Sequence, residues 1–246
     1  MTDQPLWTPS PERLAASNMV AFMKFLNDRH GTALADFAGL HRFSVERMED
    51  FWVAVWDFCG VIADTRGDTV IADKGKMPGA RFFPGARLNF AENLLRHTGG
   101  EGDAITFWGE NRVRARLTNA ELRDQVSRLQ QALEAAGVKS GDRVAAFMPN
   151  MPEAVVTMLA SASLGATFTS CSPDFGVQGV VDRFGQVEPK VLVCCDGYFY
   201  NGKAIETLPR IAEIVAQLPT VERVVVVPYA SEKPDIAAVP RATSLA

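Results

Sequence analysis

With only four cysteines, three histidines and no C-x-x-C pair, the 246-residue chain offers no zinc spacing. Cys194 and Cys195 are neighbours in an apolar run whose successive side chains point to opposite faces, so they read as packed thiols, not as a pair. The histidines (His30, His41, His97) are scattered. The longest apolar runs, such as Val224–Val227, fall far short of a bilayer span. The amino terminus through Leu14 is polar and acidic with no apolar h-region, unlike a signal peptide. No lysine or arginine cluster stands out and the formal net charge is −4, so a nucleic-acid partner has no support. A G-x-G-x-x-G dinucleotide fingerprint is also missing. These absences lead to the expectation of a soluble, cytoplasmic protein with reduced thiols and no membrane or nucleic-acid partner.

What is present is ordinary globular usage, 47% hydrophobic and 22% charged, enough for one large domain or two small ones. Residues 1–100 read as a helical cap region. Ser10-Pro11-Glu12 has the form of a helix start, Met19, Phe22, Met23 and Leu26 follow at helical spacing, and Gly31 supplies a stop. A second helix is predicted from Ser44, with Val45, Met48, Trp52, Val55 and Cys59 on one face. Met77–Arg87, rich in Pro and Gly, predicts a loop, and Asn89 opens a short helix through Leu95.

The run from Gly99 to Asp103 marks the expected boundary. Beyond it, residues 101–229 alternate between strand and helix patterns. Ala104–Trp108 and Arg112–Arg116 suggest a hairpin, and Thr118 to Glu121 has the capping-box form ahead of Leu122, Val126, Leu129 and Leu133. Strands are predicted at Arg143–Met148, Ala166–Ser170, Lys190–Cys195 and Glu222–Val227, with helices over Pro152–Ser163, Val177–Val187 and Ala204–Gln217 between them. Continuous apolar strands separated by helices imply an α/β fold, a doubly wound, mostly parallel sheet behind the helical N-terminal cap. Residues 230–246 show no periodicity and read as a linker-like tail. Ligands of such sheets sit at the carboxyl ends of the strands, which singles out Pro149–Met151, Cys171–Gly176 and Asp196–Lys203.

Two of those loops carry candidate chemistry. Gly197 to Lys203 fits G-x-x-x-x-G-K between a strand and a predicted helix, the context of a phosphate loop. Ala204 stands where Mg²⁺ would need a hydroxyl, and Tyr198, Phe199 and Tyr200 crowd the loop, so an ATPase reading is disfavoured. Lys203 at a helix N-terminus would still suit an anion, the plainer reading being a solvated lysine on a turn. In Ser170–Gly176, two hydroxyls, the Cys171 thiol and the Asp174 carboxylate follow a strand. Cys171 has no histidine nearby in sequence to activate it, and Asp174 reads as a cap or first-turn acid.

Met148 to Ala160, preceded by Gly141 to Ala145, resembles the adenylate-forming acyl-CoA synthetases. Through Phe83 to Asn93, Leu164 to Ala166, Ser170 to Gly176, Asp182 to Gly185 and Asp196 to Lys203, the resemblance narrows to the acetoacetyl-CoA synthetase family and runs from Leu6 to about Val227. It implies activation of acetoacetate by ATP with Mg²⁺ to an acyl-adenylate, then displacement of AMP by the CoA thiol. The family's Ser/Thr/Gly-rich phosphate loop, its later acidic ribose motif and its mobile domain with a catalytic lysine have no counterpart here. The chain therefore reads as an N-terminal portion, with no catalytic residue, no tightly bound cofactor and a tendency to self-associate. In related acetyl-CoA synthetases two basic residues contact the nucleotide end of CoA. Their positions fall on Tyr200, which lacks the charge, and on Lys203, which keeps it. The loop matching Ser172, Pro173 and Asp174 lies near CoA in those relatives, with a glycine-rich character lost here. A stand-alone CoA- or nucleotide-binding module without catalysis is the alternative.

Overall fold

A computed structural model describes residues 5–96, 102–110 and 114–245. Contacts divide it into two compact units, Met1–Leu88 and Asn89–Ala246. The glycine-rich segment expected to mark the boundary falls mostly on 97–101, outside the described residues.

The first unit is helical. Helix α1 (Pro11–Ala15) is capped by Ser10, and α2 (Asn18–His30) starts afresh because the Ser17 hydroxyl accepts from the Val20 amide. The sequence pattern, by contrast, predicts one helix from Ser10 to Gly31. Gly31 closes α2 in the left-handed region, as its position predicts. The single helix predicted from Ser44 is likewise two, α3 (Phe37–Glu46) and α4 (Met48–Phe58). Arg47 leaves helical geometry between them (φ −118°, ψ 51°), and Val45 points outward instead of joining the buried stripe. Phe22, Met23, Leu26, Leu40, Phe43 and Ala54 form the core, with Phe51 and Phe58 meeting the Phe22 ring at 5.7 and 5.1 Å. β2 (Arg81–Phe82), inside the expected loop, pairs antiparallel with β1 (Ile71–Ala72) ahead of it, and Phe82 and Phe83 reach back to Trp52 and Trp56.

The second unit opens with α5 (Phe90–Leu95). Asn89 caps it, and its side-chain amide donates to the carbonyls of Ala162 and Ser163. Strands β3 (Asp103–Trp108) and β4 (Arg114–Thr118) form the expected antiparallel pair, though 111–113, the end of the predicted turn and the start of the predicted second strand, lie outside the described residues. Thr118 and Glu121 complete the capping box of α6 (Asn119–Ala135). There follow β5 (Arg143–Phe147), α7 (Pro152–Ser163), β6 (Thr167–Cys171), α8 (Val177–Val187) and β7 (Val191–Cys195). The helix predicted across Ala204–Gln217 begins later, because β8 (Gly197–Tyr200) and β9 (Lys203–Glu206) pair first as a hairpin and α9 covers only Leu208–Ala216. Strand β10 (Arg223–Val227) comes next, and the stretch without periodicity adds a three-residue edge strand, β11 (Ala242–Ser244).

All pairings in the main sheet are parallel, in the order β6-β5-β7-β10-β11. Residues from α6 and α7 pack with Val144, Ala146, Val193 and Cys195, while α8 and α9 pack with Ala145, Phe147, Leu192 and Cys194. The alternation within β5 and β7 thus feeds two cores, one per face. The chain leaves β5 outward to β6 and returns past it to β7. That reversal makes the carboxyl ends of β5 and β7 the topological switch point, where sheets of this kind place ligands. Among the described residues no helix is long and apolar enough to cross a membrane.

Candidate functional site

At the carboxyl edge of β7, Asp196 is almost wholly buried and its carboxylate accepts from three successive amides after β10. The distances are 2.7 Å from Tyr229, 2.9 Å from Ala230 and 2.7 Å from Ser231. The Thr207 hydroxyl donates to the Cys195 carbonyl, and the Thr207 amide to that of Asp196. These bonds hold both roots of the β8–β9 hairpin to the sheet. Gly197 completes the root, since a Cβ there would lie 2.8 Å from the Ile205 carbonyl oxygen and 2.9 Å from the Ala230 Cβ.

The hairpin turns at Asn201-Gly202, both with positive φ (49° and 74°). This is the residue pair a two-residue hairpin turn favours. It overturns the phosphate-loop context: Lys203 lies on a strand, not at a helix N-terminus, so no helix dipole supports an anion there. The register sets Tyr200 opposite Lys203, Phe199 opposite Ala204 and Tyr198 opposite Ile205. Alternation puts Tyr198, Tyr200, Lys203 and Ile205 on one hairpin face and Phe199 on the other. Phe199 packs on Tyr229 (5.6 Å between centroids), which in turn meets Phe107 of β3 at 6.2 Å. Tyr200 and Lys203 remain exposed at the tip.

The face carrying Tyr200 and Lys203 also looks onto the second sequence candidate. Burial first, then the neighbouring Asp174 carboxylate, raises the Tyr198 phenol above its usual pKa, with Arg210 opposing. Arg210 donates to the carbonyls of Pro173 (2.8 Å) and Phe175 (3.2 Å), and Arg183 stacks on the Phe175 ring at 4.1 Å. Ser172 donates to Asp174 at 2.9 Å. Asp174 is therefore not the helix cap expected of it: Gly176 occupies that position of α8, without a side-chain cap. Asp174 of this loop thus meets Tyr198 in the middle of the hairpin, while Tyr200 and Lys203 share its tip. The sequence marks Asp196 and Tyr198 only as members of the 196–203 loop, without these roles, and gives no sign of Arg210.

Beside this loop, Met148, Pro149, Asn150, Ala154 and Ser170 to Ser172 line a cleft of about 250 Å³ at the ends of β5 and β6. Burial raises the Cys171 thiol and opposes its use as a nucleophile. Cys195 is pushed up to about 12, and Cys194 well above the ordinary thiol value, both chiefly by burial. Among the described residues no three His, Cys, Asp or Glu side chains gather to hold a metal.

Comparison with known proteins places the chain in a family. Residues 37–94 match the acetyl-coenzyme A synthetase N-terminus family, and residues 94–244 match the AMP-binding enzyme family. The chain is 51% identical to the acetoacetyl-coenzyme A synthetase of Rhizobium meliloti over 96% of its length and 36% of that protein's. It is 37% identical to a malonamoyl-CoA synthetase of Penicillium aethiopicum over 91% of its length and 32% of that protein's. The solved acetoacetyl-CoA synthetase from Streptomyces lividans superposes with a TM-score of 0.89 at 42% identity, covering 98% of this chain and 37% of that one. The chain thus spans about 36% of the length of the Rhizobium relative. With most of its residues inside the matched region, the chain belongs to the AMP-binding enzyme family.

Proposed function

We propose that this chain supplies the first α/β layer of an AMP-forming acid–thiol ligase that converts ATP, acetoacetate and CoA to AMP, diphosphate and acetoacetyl-CoA. The observation that carries the reading is the 51% identity to an acetoacetyl-coenzyme A synthetase across 96% of this chain, with the same fold in a solved enzyme of that name. Within it, the Tyr200–Lys203 pair takes the nucleotide end of CoA. Lys203 meets a phosphate as a point charge, and Tyr200 offers a ring for adenine to stack on. The Ser172–Asp174 loop, strapped by Arg210, borders the same hairpin face and lines the approach.

Chemistry is not assigned to any residue here. The phosphate loop, ribose motif and catalytic lysine that the resemblance calls for have no counterpart in the sequence. Acetoacetate rests on the relatives' names, and the malonamoyl relative shows that proteins bearing this layer differ in acyl group. The test is acetoacetate- and ATP-dependent loss of CoA thiol, measured on the chain alone and on the product of the same reading frame read to its stop. Silence in the first with turnover in the second supports the reading. Turnover by the chain alone overturns the assignment of the chemistry elsewhere. CoA binding without turnover in either favours a binding module.

A further inference from the structure

The turn amides of Asn201 and Gly202 point away from the hairpin ladder, as the two central amides of such a turn must. The structure gives both to one carboxylate: Glu110 Oε1 accepts from Asn201 at 2.9 Å and Oε2 from Gly202 at 3.1 Å. Glu110 follows β3 and stands 91 residues from Asn201 in the chain. A two-stranded hairpin is marginal in water, so its tip lies where its anchors put it. Asp196 fixes the root, and Phe199 and Tyr198 fix the middle. Beyond them, Glu110 reaches the turn itself.

We infer that Glu110 is a positioning residue: its carboxylate clamps the turn amides and thereby presents Tyr200 and Lys203 in a fixed geometry for a phosphate-bearing ligand. The inference rests on the CoA reading for the ligand's identity, but not for the clamp. It also settles how the anion is met. Because both turn amides are taken, the phosphate is bound by the Lys203 ammonium and not by a backbone nest. Charge-assisted bonds to a carboxylate are the strong kind, and ordering the tip beforehand removes part of the entropy that a ligand would otherwise have to supply.

The test uses the full chain, comparing wild type, E110Q, E110D and K203A. Amide exchange at Asn201 and Gly202 is read by NMR, and CoA affinity by titration. Glu110→Gln is expected to speed exchange at those two amides about tenfold while leaving the sheet amides unchanged, and to weaken CoA binding about fivefold. Glu110→Asp should recover part of both, which a general loss of folding would not allow. Unchanged exchange in E110Q overturns the clamp. Faster exchange with unchanged or tighter CoA binding overturns the positioning role and makes Glu110 a competitor for the amides. If neither wild type nor K203A binds CoA, the CoA reading fails, and the exchange data alone decide the clamp.

Discussion

Two carboxylates hold the same hairpin at opposite ends, and they do so under different conditions. Asp196 at the root is buried and collects three amides from the segment after β10. Glu110 at the tip collects two amides at the surface. The first is the costlier to lose, because its carboxylate is almost wholly buried and accepts three amide bonds at once. Water can replace the second at little cost in stability. The root is therefore a folding device, and the tip is free to serve binding.

The sharpest break of this comparison is Asp196→Ala, expected to destabilise by about 3–5 kcal/mol in urea unfolding and to open Cys195 to thiol reagents. Gly197→Ala forces a Cβ against the Ile205 carbonyl and Ala230 and should cost about 1–3 kcal/mol by the same assay. Glu110→Gln should stay within about 0.5 kcal/mol of wild type, since it touches only the exposed turn. A loss comparable to that of Asp196→Ala would erase the distinction between root and tip.

The thiols beside the root give a pH test. In the folded protein Cys195 holds its proton to about 12, whereas an unperturbed thiol releases it near 9. Above that lower value the unfolded chain binds fewer protons than the folded one, so stability falls as pH rises from about 9 toward 12. At pH 8 the exposed Cys59 should label promptly. Cys195 should carry roughly a thousandfold less thiolate than an unperturbed cysteine. Prompt labelling of Cys195 in the native protein would contradict a closed root.

Much of the α/β unit was legible because its signals are local. The capping box at Thr118 and the helices Pro152–Ser163 and Val177–Val187 were read with their bounds, and the apolar runs gave the parallel strands. The hairpin was lost despite its Asn201-Gly202 signal, because the G-x-x-x-x-G-K spacing suggested a phosphate loop leading into a helix. Strand β11 is too short to show a period and exists only by pairing with β10. Tyr200 and Lys203 were visible as candidates, and the turn brought them together. Glu110 and Arg210 were not, since each acts on a distant loop (Glu110 on the turn, Arg210 on Pro173 and Phe175) and sequence spacing does not encode that approach.

The most direct test of the hairpin tip as a CoA contact is titration of the chain with CoA and with dephospho-CoA, which lacks the 3′-phosphate, in wild type and K203A. Wild type is expected to prefer CoA by about tenfold, and Lys203→Ala to abolish the preference while leaving the fold intact. Equal affinity for the two ligands in wild type, or a preference that survives in K203A, would contradict that contact.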